Sequence, residues 1–303
     1  MSVYARRTEV RTVAATRYVT PLHEGGSLPA IVEADDDGMY VLKFRGAGQG
    51  PRALIAELVG GEMARALGLP VPELVFMELD ADLSRTEPDP EIQELIKNSA
   101  GLNVGLDYLP GSVMFDPVVN KPAANLASDI VWFDAYVTNV DRTARNTNML
   151  MWHRQLTLID HGAALYFHHS WDNYLERSLD AFHRVKDHVL LPYASSLREA
   201  DTKLSARLTP DLIGGIVAMI PDAWLSGASP FHGSRRIAFM YALTPSAIDA
   251  KPVKSSSERV SSMIASQGMT PLLRRSVSAS IMSWSALRFP VGCFEITPAA
   301  TSS

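Results

Sequence analysis

The sequence predicts an α+β fold of two lobes, a small strand-rich N-terminal lobe followed by a larger, mostly helical one. Three observations point there. Short β-rich runs bounded by turn residues fill the first third of the chain, broken by one helical pattern at 52–67. Helical periodicity begins at Asn125 and fills much of 172–242. Between these stretches a loop and a hairpin hold Asp141, Asn146 and Asp160, and Asp160 stands at the end of an apolar run.

Composition narrows the possibilities. The chain has 303 residues, 47% of them apolar, enough to bury a full core. Charged residues make up 20% and the formal net charge is −5, which gives no broad attraction to nucleic acid or anionic membrane. One cysteine, Cys293, excludes an internal disulfide and fits a reducing compartment. No apolar run reaches the roughly 18 residues of a membrane span, and the first residues lack the apolar core of a signal peptide. A soluble, cytoplasmic protein is expected.

In chain order, Val10 to Val19 alternates loosely and reads as a strand or extended arm. Pro21 to Pro29 is turn chemistry, with Gly25-Gly26-Ser27 at its centre. Ala30–Glu33 and Met39–Phe44 read as a hairpin turned at Asp37-Gly38. Lys43 should face away from Leu42 and Phe44, because strand side chains alternate. An isolated strand lysine is ordinarily a solvated one. Here, however, a helix follows from Arg52 to Leu67, stopped by Gly68 with Pro70 and Pro72 beyond. Glu57 lies on its early turns and is the expected partner of Lys43, with Glu62 the competitor.

Gly46-x-Gly48-x-Gly50 between strand and helix imitates a dinucleotide-binding turn. Its spacing is wrong for one, and a lysine is unusual in a buried parallel strand. A flexible link is the better reading. Gly25, Gly26 and Ser27 are the better candidates for a loop whose N–H groups cradle phosphate.

Glu73–Leu79 and Leu102–Leu109 read as further strands, and the acidic, proline-punctuated 80–91 as an exposed loop. From Asn125 a helix carries Ile130, Phe133 and Val137 on one stripe, with Asn125 or Ser128 as cap. Thr147–Trp152 and Leu156–Ile159 form a hairpin that brings the loop before it and Asp160 after it to one end. Asp160 among branched apolar residues is costly to bury without a cation. A carboxylate that takes a hydroxyl proton, with an amide and a second carboxylate on Mg²⁺, is the arrangement of protein kinases.

Arg142 and Arg145, flanking Asp141, are either solvated charges or contacts to the transferred phosphate. His168, His169, His183 and His188 lack a tight zinc-binding frame and suit surface or packing roles. No G-x-S-x-G elbow anchors hydrolase chemistry. Thr209 should cap a helix with Pro210 at its first position, and Pro221 opens another. The serine-rich stretch from Pro245 reads as poorly ordered. Domain bounds of 1–109, 110–244 and 245–303 follow.

The run N-x-D-R-x-x-x-N-x-N at Asn139–Asn148, then L-T-L-I-D-H-G, resembles the HipA-like kinase family, as does Ala56–Pro72. The resemblance spans Tyr18 to Ala164. It implies a kinase-like fold using ATP and Mg²⁺, with Lys43 on the α- and β-phosphates and Glu57 orienting it. Asp141 would be the catalytic base, and Asn146 and Asp160 the metal ligands. The adenine-gripping hinge would fall at Asp107, Tyr108 and Leu109. His161 stands where protein kinases carry the phenylalanine of D-F-G. The expected acceptor is a Ser/Thr hydroxyl on a protein. A small-molecule or lipid kinase, and a nucleotide-binding pseudokinase scaffold, are the alternatives.

Overall fold

The structure, a computed structural model, describes residues 9–22, 28–169, 173, 182–225 and 243, all within the unit Met1–Gly268. The Gly25-Gly26-Ser27 turn and the tail 245–303 lie outside the described residues.

Five strands close into a barrel: β1 (Thr12–Pro21), β2 (Ala30–Ala34), β3 (Met39–Lys43), β4 (Leu74–Leu79) and β5 (Gly101–Asp107), in the order β1-β2-β3-β5-β4. All pair antiparallel except β1 with β4, which run parallel and complete the ring. The β2–β3 hairpin turns where expected, at Asp37 with φ 62°, and the Asp36 carboxylate accepts the Gly38 N–H at 3.0 Å. Both neighbours of β3 are antiparallel to it, so Gly46–Gly50 is not the turn of a parallel dinucleotide-binding unit.

Helix α1 (Pro51–Leu67) begins with its proline in the first turn and ends at Gly68, φ 82°. Two mid-helix glycines, Gly60 and Gly61, are unfavourable for helix propensity, and close packing explains both. A Cβ on Gly60 would sit 2.9 Å from His161, and one on Gly61 2.7 Å from Leu74.

The stretch 80–91 is not a plain loop. It contains a 3₁₀ turn (Ala81–Thr86) and the start of α2 (Pro90–Asn98), which Asp89 caps by accepting the Glu91 N–H at 2.8 Å. Ile92 and Ile96 of α2 are buried with Val32, Tyr40, Leu42 and Met77 in the barrel core. Each such burial contributes roughly 1.5–3 kcal/mol.

A second sheet holds β6 (Val113–Met114), β7 (Met149–Trp152) and β8 (Gln155–Leu158). Its two-residue turn places His153 and Arg154 at φ 48° and 65°. Helix α3 (Ala124–Tyr136) lies almost wholly inside the protein. Neither expected cap serves it: Ala123 holds the N-cap position without a side-chain bond, and Ser128 turns its hydroxyl to the Ala124 carbonyl at 2.7 Å. The same hydroxyl accepts the Ser196 N–H at 2.9 Å, so it serves the packing of the helix and not its N-terminus.

Helices α4 (Leu197–Ser205), α5 (Pro210–Ala218) and α6 (Asp222–Leu225) follow, and Thr209 caps α5 by accepting the Leu212 N–H. Trp224 of α6 returns to the barrel, donating to the Leu102 carbonyl at 3.0 Å and meeting Phe76 edge-on. Among the described residues no helix is long and apolar enough to cross a membrane.

Candidate active site

Lys43 leaves β3 on the side opposite the buried Leu42 and Phe44, as strand alternation requires. Its Nζ lies 3.3 Å from Glu57 Oε2 and 2.6 Å from Asp160 Oδ1. Glu62, the rival partner, instead binds Arg65 at 3.1 Å. Burial pulls the Lys43 pKa down, but the charges of Glu57 and Asp160 outweigh it and hold the ammonium above its ordinary value. Burial pushes Glu57 up, while Lys43 and then His161 bring its carboxyl below the usual range. His161 fills the space over Gly60, buried, with Nδ1 3.6 Å from Glu57 Oε1, beyond hydrogen-bond reach.

Asp141 and Asn146 meet directly, the Asn146 amide donating to Asp141 Oδ2 at 2.9 Å. Asn148, which the sequence reading left without a role, also holds this carboxylate: Nδ2 lies 3.2 Å from Oδ2 and 3.3 Å from the Asp141 carbonyl. The Ile159 N–H donates to the Asn148 carbonyl at 3.0 Å, which ties the entry to Asp160 to the same loop. Asp141, Asn146 and Asp160 therefore share one end of the hairpin, and Asp160 joins them to Lys43 and Glu57. Thr138, Asn148 and Asp160 all have positive φ. Such conformations cost of order 1–3 kcal/mol and collect where a structure over-determines its site.

Beneath the loop lies a buried ionic network. Asp134 of α3, fully buried, accepts from Arg142 Nε at 2.6 Å, Asn139 Nδ2 at 3.0 Å and His188 Nε2 at 2.8 Å. Arg142 Nη1 also donates to the carbonyls of Asn148 and Ile159. Arg142 is thus buried and paired, not a solvated charge. Burial raises the Asp134 pKa, but the Arg142 charge and the His188 hydrogen bond overcome it and hold the carboxyl well below its ordinary range. His188 Nδ1 accepts the Leu190 N–H at 3.0 Å, so Nε2 carries the proton given to Asp134. Arg145 is exposed.

Asp107, Tyr108 and Leu109 follow β5 at the rim of the barrel. The N–H groups of Asp107 and Tyr108 are taken by the carbonyls of Glu73 and Met39, at 2.8 and 2.9 Å.

The oxygen donors Asn146 and Asp160 suit Mg²⁺, which binds through one or two protein oxygens together with substrate phosphates. Among the described residues no cluster of three or more His, Cys, Asp or Glu could hold a metal alone, so the ion's remaining ligands would come from nucleotide and water.

The family model described as HipA-like kinase matches residues 16–241. Among solved structures, the Helicobacter pylori proinflammatory kinase CtkA is similar at a TM-score of 0.50 and 13% identity, over 83% of this chain and 99% of that one. At that identity the likeness concerns the fold. The Golgi casein kinase with Mn/ADP bound matches at a TM-score of 0.34 and 13% identity, over 78% of this chain and 72% of its own. No curated protein matches.

Proposed function

Because the chain belongs to the HipA-like kinase family, we propose that it is an ATP- and Mg²⁺-dependent serine/threonine protein kinase of two lobes. The barrel and α1 form the small lobe, and the chain from 110 to 244 the larger. The observation that carries this reading is the position of Lys43 Nζ between Glu57 and Asp160, at 3.3 and 2.6 Å. A lysine held from one side by a helix carboxylate presents its charge to the α- and β-phosphates, while Asp160 turns to the metal.

Asp141 takes the proton from the acceptor hydroxyl as its oxygen attacks the γ-phosphorus. The bond to the β–γ bridging oxygen breaks and ADP departs. Asn146 and Asp160 would hold Mg²⁺, which would supply positive charge against the phosphates. The segment Asp107, Tyr108 and Leu109 meets the adenine edge, with the Leu109 N–H as its donor, since the first two N–H groups and the Leu109 carbonyl are engaged.

The test is transfer of labelled γ-phosphate from Mg²⁺-ATP onto a panel of proteins and a panel of metabolites and lipids. Label on protein serine or threonine, absent with Asp141→Asn, is the expected result. Label on small molecules alone would replace the protein acceptor, and normal Mg²⁺-ATP binding without transfer to any acceptor would overturn catalysis.

A further inference from the structure

Between the second sheet and the start of α3 lies a half-open cavity of about 790 Å³, a size suited to several side chains of a ligand. Its floor is apolar. Val113, Met151 and Leu156 are register partners across β6, β7 and β8, so they share one face of the sheet. Phe115 and Leu126 complete the floor. Met114, Leu150 and Thr157 occupy the other face, so the cavity opens away from that side.

The rim is cationic. Lys121 and Arg154 border the cavity beside His153, and no aspartate or glutamate lines it. In a protein of net charge −5, this local reversal is a specific feature. Lys121 and Arg154 are both exposed, and neither has an ion-pair partner among the described residues. Val113 and Val119 remain 62% and 74% exposed beside them. His153 and Arg154 also occupy the two left-handed positions of the β7–β8 turn, which Asn-Gly would fill with less strain. The first turn of α3, which borders the same space, has no capping side chain and no acidic residue.

Apolar contact area bordered by two unpaired cations, with no carboxylate in its lining and Asp116 engaged beside it by the Val118 N–H, fits a partner that presents apolar side chains between carboxylates. We infer that this cavity is a docking site for an acidic, leucine-like segment of the protein acceptor. It lies apart from Lys43, Asp141 and Asp160, and it rests on the reading that the acceptor is a protein. Docking there would hold the acceptor near the kinase while its hydroxyl explores the catalytic loop, raising its effective concentration.

The test measures fluorescence polarisation of a short labelled peptide of alternating glutamate and leucine, lacking hydroxyl residues, against the full chain without ATP. Saturable binding is expected, weakened by salt. Lys121→Glu with Arg154→Glu should reduce it at least about tenfold and admit the matching lysine–leucine peptide instead. Asp141→Asn should bind as the wild type does, so loss of transfer and loss of docking are read separately. An all-glutamate peptide binding equally well would reduce the site to surface charge and overturn the proposal. So would the charge-reversed variant binding as tightly as the wild type, or no binding at all.

Discussion

At single side chains, the cost of burying charge explains both the residues that sequence pattern exposed and those it hid. Asp160 was conspicuous because it interrupts an apolar run; it meets Lys43, but with its side chain 41% exposed it does not carry the full cost of burial expected of it. Asp134 interrupts an equally apolar run, Trp132-Phe133-Asp134-Ala135, and the same reasoning would have marked it. Its partners Arg142 and His188 are eight and 54 residues away, and no local spacing signals such a contact. Asn148 went unassigned because one asparagine sufficed for the metal-binding pattern. Replacing Asp134 by Asn leaves Arg142 as a buried charge short of its counterion, which typically costs about 3–5 kcal/mol. Urea denaturation should show that loss, with kcat falling more than the KM for ATP changes. Asp160→Asn should cost less stability, because Glu57 still faces Lys43 and Asp160 is partly exposed, and it should weaken nucleotide binding only when Mg²⁺ is present. Titration of ATP with and without the metal checks it, and equal affinities in variant and wild type would remove Asp160 from the metal site.

Among the elements, strands and helices with strong periodicity or clear stops were legible: β2, β3, α1, β4, β5 and the β7–β8 hairpin lie within a few residues of the expected bounds. Helix α2 escaped because its prolines and acids suggested a loop. Its signals were nonetheless present in Asp89-Pro90 as cap and first residue and in Ile92, Leu95 and Ile96 on one stripe. The turn of β7–β8 is an element-scale exception to local preference, with a bulky histidine and an arginine in left-handed backbone. His153→Asn with Arg154→Gly should relieve that strain and raise the unfolding free energy by about 1–2 kcal/mol. A higher Tm accompanied by loss of acidic-peptide binding would be the expected pair of results. An unchanged or lower Tm would show the turn to be unstrained.

For the whole molecule, stability should form a broad plateau in pH bounded by the buried ion pairs. Asp134 and Glu57 have depressed folded-state pKa values. Their stabilisation is complete above the unfolded carboxylate values of about 4 and is lost as pH falls through the folded ones. Lys43 is raised, so its contribution is complete below about 10.4 and is lost as pH rises through its folded value. Tm measured across pH should therefore be flat near neutrality and fall at both extremes. A steady rise or fall through pH 6–8 would contradict it. The overall arrangement was only partly legible: alternation and spacing indicated a strand-rich part and a helical part, but not Trp224 reaching back across 122 residues to the barrel. Nor did they indicate the parallel pairing of β1 with β4, since contacts between distant segments leave no periodic trace in either.

That parallel pairing has a consequence for crowded or concentrated solutions. An incomplete sheet ends in bare backbone donors and acceptors that another molecule's strand can extend, the first step toward fibrous assembly. Here the first strand seals against the fourth along Thr12–Ala14 and Phe76–Glu78, so over that stretch the ring offers no such seam to a neighbour.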